Sequence, residues 1–339
     1  MSAYDEWLAA QAAEREANGL TRSLRDSDRG EPLLDLAGND YLGLSRHPAV
    51  VEGAVRAARE WGAGSTGSRL VTGSTALHAE LEAGLAAFVR MPAGLVFSSG
   101  YCANLAAVVA LSGPGSLVVS DAGNHASIVD ACRLSRARVA VTPHADVAAV
   151  ERALAGRPED TAVVVSDAVF SVDGDVAPAR ALHEVSRRYG ALLVLDEAHA
   201  LGVVGPGGRG VAHEADLAGE PDVVLTVTLS KSLGAQGGAV LGTPEVMRHL
   251  VNTARAFIFD TGLAPASAGA ALAALRLLAD RPGLAAAARA NTAAIASTAA
   301  GLALPAVTPA AAVCPVVLGE PERAVRAARI CAEHGVRVG

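Results

Sequence analysis

Val223-Val224-Leu225-Thr226-Val227-Thr228-Leu229-Ser230-Lys231 reads as a buried strand that ends on a lysine, and Leu233-Gly234-Ala235-Gln236-Gly237-Gly238 follows it as a glycine-rich run. A short, nearly unbroken apolar run suits a strand covered on both faces. The lysine is singular. Of the 28 basic residues in the 339-residue chain it is the only one that is not arginine. Arginine stays protonated in proteins and cannot present a neutral nitrogen, whereas a desolvated lysine can act as nucleophile or proton carrier. Lys231 is therefore a candidate for amine chemistry at the end of a strand.

Outward from this stretch the same strand pattern recurs. Gly94–Phe97, Ser116–Ser120, Arg138–Thr142, Thr161–Ser166 and Ala191–Leu195 are Val/Leu-rich strands. Helical segments at 76–88, 126–135 and 267–279 separate or follow them. Strands alternating with helices predict an α/β fold, with a mostly parallel central sheet flanked by helices. Ligands in such sheets sit beyond the carboxyl ends of the strands. Residues 4–18 read as an amphipathic helix, Leu33–Leu36 as a short strand and 48–61 as a helix opened by Pro48. The chain is expected to divide into an N-terminal helix and arm over 1–45, a large domain over 46–278 and a small C-terminal α/β lobe over 279–339, with one strand at Ala312–Leu318.

Composition narrows the function classes. Hydrophobic residues are 51% and charged residues 19%, enough for a sizeable core. Aromatics are only 3%, so that core must be built from Ala, Val and Leu. A net charge of −7 without a basic stripe argues against nucleic acid as partner. The N-terminus is acidic and polar rather than a signal peptide, and no apolar run reaches the roughly 20 residues a spanning helix needs. Cys102, Cys132, Cys314 and Cys331 have no metal-ligand spacing. The expectation is a cytoplasmic protein with no bound metal.

Four groups fall at strand ends. Ser99-Gly100-Tyr101 opens a helix, whose free N–H groups and dipole suit a phosphate. His125 stands just before another helix. Asp196 ends the strand Leu193-Val194-Leu195-Asp196, where burial of a charge requires a partner, and His199 follows it in Asp196-Glu197-Ala198-His199. Thr228 precedes Lys231 at the end of the fourth. Asp-Glu-Ala-His is also a helicase box, but no G-x-x-x-x-G-K-[ST] loop accompanies it. Gly62-Ala63-Gly64-Ser65-Thr66-Gly67 formally matches a dinucleotide fingerprint, yet it follows a helix rather than a strand, so a permissive loop is expected. An imine-forming lysine, an Asp able to pair with a protonated ring nitrogen and a phosphate cradle together describe a pyridoxal 5′-phosphate site.

The runs 39–44 (NDYLGL), 62–73 (GAGSTGSRLVTG), 98–104 (SSGYCAN), 124–127 (NHAS), 169–175 (VFSVDGD), 196–202 (DEAHALG) and 228–238 (TLSKSLGAQGG) resemble the α-oxoamine synthases. These are fold-type I pyridoxal phosphate enzymes, with the fold of class I and II aminotransferases. The resemblance implies that Lys231 holds the cofactor as an internal aldimine and moves a substrate proton, that Asp196 pairs with the ring nitrogen, and that His125 stacks on the ring. It places Ser171 and His199 at the ring's phenolic oxygen, and Gly100, Tyr101 and Thr228 at the phosphate. Thr261 would reach the phosphate from a neighbouring subunit of a homodimer. His125, Asn39 and Arg22 (or Arg25) would contact substrate. The sequence looks most like the branch of biotin biosynthesis that joins L-alanine to a pimeloyl thioester on CoA or acyl carrier protein, releasing carbon dioxide. Sister enzymes use glycine or serine with other thioesters. The resemblance also implies an Arg-Pro-Pro segment, a carboxylate-binding arginine and a last helix after Gly339, so the sequence is expected to be cut short. A cofactor-binding but inactive truncated form is the alternative to an active acyltransferase.

Overall fold

Every residue of Val223–Thr228 is buried, and the strand lies inside a seven-stranded sheet between one parallel and one antiparallel neighbour. The computed structural model describes residues 1–22, 24 and 33–339. Residues 39–315 form one unit built on this sheet, and the described residues of 1–38 join 316–339 in a second. In chain order the strands are β1 (Leu34–Asp35), β2 (Ala93–Phe97), β3 (Ser116–Asp121), β4 (Arg138–Thr142), β5 (Thr161–Asp167), β6 (Leu192–Asp196), β7 (Val223–Thr228), β8 (Gly238–Gly242) and β9 (Val336–Arg337). The large sheet runs β2-β8-β7-β6-β5-β3-β4, parallel throughout except for β8. This is the mostly parallel α/β sheet that the alternation of strand and helix implies.

The helices are α1 (Ala3–Ala17), α2 (Pro48–Trp61), α3 (Ala76–Val89), α4 (Gly100–Ala110), α5 (Ala126–Ser135), α6 (Val147–Ala155), α7 (Ala179–Arg188), α8 (Val211–Glu214), α9 (Pro244–Thr253), α10 (Arg255–Ile258), α11 (Pro265–Asp280), α12 (Gly283–Gly301) and α13 (Pro321–Glu333). Successive strand residues point to opposite faces, and the core divides accordingly. Val119, Val164, Leu193, Leu195 and Leu225 pack with Leu81, Leu85, Leu154, Leu182 and Leu275 of α3, α6, α7 and α11. Val118, Val163, Val165, Val194, Val224 and Val240 pack with Ala103, Ala107, Ile128 and Leu250 of α4, α5 and α9.

With so few aromatics, the layers close through small residues. Helices α2 and α11 cross at Gly53 and Gly269, where a Cβ on Gly53 would stand 2.7 Å from the Gly269 carbonyl oxygen. Only a bare backbone allows that approach.

In the second unit β1 and β9 pair in parallel, Leu34 with Val336 and Asp35 with Arg337. Helix α1 begins with a capping box in which Ser2 and Asp5 satisfy each other's backbone N–H. The helix expected over 4–18 is present, but Trp7 and Leu8 are exposed and none of its residues is buried. One expectation fails outright: Ala312–Leu318 is not a strand and carries only a single bridge residue, Val316. Pro315 lies in the middle of it and cannot donate to a ladder. The glycine-rich 62–67 is a loop after α2, as its context requires. No helix among the described residues is long and apolar enough to cross a membrane.

Candidate active site

Lys231 stands in the tight connection between β7 and β8. The Leu229 N–H donates to the Gly237 carbonyl at 2.9 Å, the Ala235 N–H to the Leu229 carbonyl at 3.0 Å, and the Gly234 N–H to the Lys231 carbonyl at 2.9 Å. These bonds leave the lysine backbone little freedom. Its Nζ lies 2.6 Å from His199 Nε2. Burial pushes the Lys231 amine below its usual range, against the opposing pull of Asp196 and Asp167. Burial, then the charges of Lys231 and His125, holds His199 down to about 3, so its imidazole is neutral. On the far side of that ring, Nδ1 lies 2.6 Å from the Tyr41 hydroxyl, which also donates to Asn39 Oδ1 at 3.0 Å. Burial raises the Tyr41 hydroxyl far above its usual range. A continuous chain Asn39–Tyr41–His199–Lys231 results. Its assembly depends on Gly202, where a Cβ would stand 2.4 Å from that of Ser232 and separate the His199 turn from the lysine loop.

The second cluster forms at the ends of β5 and β6. Asp196 Oδ1 accepts from the Ala198 N–H at 2.9 Å and Oδ2 from Asn104 Nδ2 at 2.6 Å. Asn104, on α4, also donates to Ser127 Oγ at 2.8 Å and accepts from Thr226 Oγ1 at 2.6 Å. The Ser127 hydroxyl and N–H approach His125 Nδ1 at 2.8 and 3.2 Å. Two donors at Nδ1 make it the acceptor, which puts the neutral ring's proton on Nε2. His125 is the N-cap of α5, as a bland reading of its position would have it, but its exposed ring is also tied to Asp196 through Ser127 and Asn104.

The third cluster is the start of α4. Ser99 caps the helix by accepting from the Cys102 N–H at 3.1 Å, and the first intrahelical bond runs from Ala103 to the Ser99 carbonyl. The N–H groups of Gly100 and Tyr101 precede that bond and aim outward with the positive end of the helix. Thr228 Oγ1 lies 2.7 Å from Ser230 Oγ and donates to the Gly237 carbonyl at 3.2 Å. A Cβ on Gly100 would stand 2.9 Å from the Thr228 Cβ, so glycine alone lets the helix start close against the end of β7. The donor set fits pyridoxal phosphate. It offers a partly desolvated amine, a carboxyl for a ring nitrogen, an exposed imidazole and an anion cradle made of amides and hydroxyls.

Hydrogen bonds join His199, Lys231 and Asn39 in one network, and Asp196 and His125 in another. Gly100 and Thr228 meet at the cradle. Tyr101 contributes its backbone there, while its hydroxyl is engaged by Asp130 of α5. Ser171 is half-buried in the turn between Val169 and Val176 and has no hydrogen bond among the described residues. Thr261 is exposed; its N–H donates to Asp260, which in turn accepts from Ser98. Arg22 belongs to the smaller unit and is exposed, and Arg25 lies outside the described residues. Sequence reasoning gave no role to Tyr41, Asn104, Ser127, Thr226, Ser230 or Asp167. All but Asp167 lie within or beside the quoted runs, but only their partners in space distinguish them. Asp167, at the end of β5, could have been noticed because it repeats the pattern of Asp196: an acid closing a Val-rich strand.

Comparison with known proteins follows the same lines. The sequence model of "Aminotransferase class I and II" matches residues 31–339. An 8-amino-7-oxononanoate synthase from Mycobacterium sp. (strain JLS) is 63% identical over 333 residues, 98% of this chain and 86% of that protein. Among solved structures, a serine palmitoyltransferase from S. paucimobilis with a bound PLP–myriocin adduct superposes with a TM-score of 0.89 at 26% identity, over 100% of this chain and 92% of that one. An 8-amino-7-oxononanoate synthase from Francisella tularensis gives 0.79 at 25%, over 91% and 88%. The chain belongs to the class I and II aminotransferase family, within its group of 8-amino-7-oxononanoate synthases.

Proposed function

We propose that the chain joins L-alanine to a pimeloyl thioester, giving 8-amino-7-oxononanoate, carbon dioxide and the free carrier thiol, with pyridoxal 5′-phosphate as cofactor. The observation that carries this reading is the lone lysine, its amine half-buried against a neutral histidine and close to an anchored aspartate, in a chain 63% identical to an 8-amino-7-oxononanoate synthase. When bound, the cofactor supplies an aldehyde for the amino group and an electron-withdrawing ring. Lys231 is the group that holds the aldehyde carbon. Released by the incoming amine, Lys231 is free to take the proton from the alanine Cα. A desolvated amine does this better than an exposed one, because its proton affinity lies closer to neutral.

Asp196 would pair with the ring nitrogen and keep a proton there. Asn104 and the Ala198 N–H fix the direction in which it accepts. The α4 amides, with Thr228 and Ser230, hold the phosphate. His125 would cover the ring, with its Nε2–H available to donate to a substrate carboxylate or carbonyl oxygen. His199 and Ser171 serve the phenolic oxygen. The new carbon–carbon bond would join the alanine Cα to the thioester carbonyl carbon; the thiolate would leave there, the alanine carboxyl would depart as carbon dioxide, and the Cα, keeping that bond's electron pair, would take a proton back from Lys231. Arg22 and Asn39 are proposed to meet the substrate.

We further propose a homodimer in the cytoplasm, in which Thr261 serves the partner's phosphate. Supporting this, Leu70, Val71 and Phe259 are exposed, the last by 70%, on segments joined by the Gly262 N–H to Gly67 carbonyl bond. Burying such side chains against a second copy would remove them from water. The described cysteines are all free, as suits a reducing compartment. The test is carbon dioxide release from alanine and a pimeloyl thioester by cofactor-loaded protein, with glycine and serine alongside. Release with serine or glycine in preference to alanine would overturn the assignment.

A further inference from the structure

The ends of β5 and β6 bring two carboxyl groups together. Asp167 and Asp196 are register partners on adjacent parallel strands, 2% and 6% exposed, at a strand spacing of about 4.8 Å. Their surroundings are unequal. Asp196 has a short donor on each oxygen, the Ala198 N–H and the Asn104 amide. Among the described residues, Asp167 Oδ1 receives only a long bond from the His125 N–H, 3.4 Å, and its buried Oδ2 has no partner. Its own N–H is fixed by Asn124 Oδ1 at 2.8 Å, which anchors the backbone that carries the carboxyl. Two buried like charges this close cannot both persist. A charge settles where donors receive it, and an oxygen without a donor takes the proton.

We propose that Asp167 and Asp196 form the floor of the site as a carboxylic acid and a carboxylate. Asp167 is then a positioning residue that keeps one negative charge, not two, beneath the cofactor ring and Lys231. Burial, then the Asp196 charge, pushes the Asp167 carboxyl well above the usual carboxylate range. Besides Asp196 on β6, the groups facing it are Lys231 after β7 and the backbone of His125 at the head of α5, which both favour ionisation. Asp121 at the end of β3 opposes it and is itself paired with His144 at 3.0 Å. The consequence for the ring rests on the cofactor reading; the proton on Asp167 does not.

The test therefore starts without cofactor. Wild-type protein, with its aspartates isotope-labelled at the side-chain carboxyl carbon, is examined by infrared spectroscopy near neutral pH. The label separates Asp167 from Glu197, the other carboxyl that burial pushes up, to about 7. A protonated aspartate band is expected at a pH where ordinary aspartates, with values near 3.9, are ionised. It should vanish in Asp167→Asn, and in Asp196→Asn it should disappear at lower pH than in wild type, because the repelling charge is gone. Absence of the band, its survival in Asp167→Asn, or indifference to Asp196→Asn would each overturn the proposal. If Asp167→Asn does not fold, the labelled wild type and Asp196→Asn decide alone. With cofactor, Asp167→Asn should leave the affinity near neutral pH within about twofold. Removing a real charge there would change it by about tenfold, the equivalent of one pKa unit.

Discussion

Replacing Asn104 by alanine tests how far the Asp196 cluster depends on one uncharged residue. Asn104 is 3% exposed and makes three side-chain hydrogen bonds, to Asp196, Ser127 and Thr226. The bond to Asp196 is charge-assisted, worth about 1.5–3 kcal/mol, and each neutral one about 0.5–1.5 kcal/mol. Alanine also strands the Thr226 hydroxyl, 1% exposed, with no acceptor. The expected loss in unfolding free energy is about 3–5 kcal/mol, read from urea denaturation of cofactor-free protein at unchanged m-value. Thr226→Val alone should cost about 1 kcal/mol. In the Asn104→Ala background it should cost nothing or restore stability, because the hydroxyl has already lost its partner. A loss below about 1 kcal/mol for Asn104→Ala, or additive effects in the double variant, would refute the network as drawn.

Further expectations follow from other parts of the molecule. Lys231→Arg keeps the charge but offers no neutral nitrogen; it should abolish the covalent cofactor absorbance band and turnover while leaving the circular dichroism spectrum unchanged. His199 is held to about 3 in the folded chain against an ordinary 6.5, so between those values only the unfolded chain binds the proton and stability is lost as pH falls. His199→Gln should flatten the fall in melting temperature from about pH 6.5 downward. His144 goes the other way: burial opposes its charge, but pairing with Asp121 and Asp175 outweighs it and raises its proton affinity. Its contribution is full in acid and lost as pH rises past its raised value, so the stability gap between wild type and His144→Gln should narrow in alkaline urea titrations. Gly53→Ala should force α2 off α11 at a cost of about 1–3 kcal/mol, visible as a lower urea midpoint.

The layered sheet was legible because its signal is periodic and local. Short Val/Leu-rich runs predict strands whether or not their neighbours are known, and 138–142 and 223–228 need nothing more. Ala312–Leu318 shows the limit, since an apolar run resembles a strand until one asks which ladder its proline could join. Lys231 was legible as the sole lysine, and Asp196 and His199 as polar residues closing an apolar strand. Asn104 and Tyr41 were not. An asparagine in the second turn of an Ala-rich helix carries no sign that Asp196 lies 2.6 Å away, because that distance is set by how α4 lies on β6 and β7. Asp167 closes a Val-rich strand as Asp196 does, so its place was legible; what was not is its unanswered oxygen, which only the fold shows.

The hairpin that carries Lys231 joins two strands fully buried within the sheet, whereas Asn39 and Ser171 ride on turns outside it. The amine and the side chains around it are thereby carried by parts of the molecule with different freedom to vary. The amine cannot shift without disturbing the sheet's interior, so its place is fixed by the scaffold. The turns around it can change sequence and reach at little cost to the scaffold. A superposition at a TM-score of 0.89 with only 26% identity is compatible with such a division: a seat held by the sheet, beneath a rim whose sequence is free to drift.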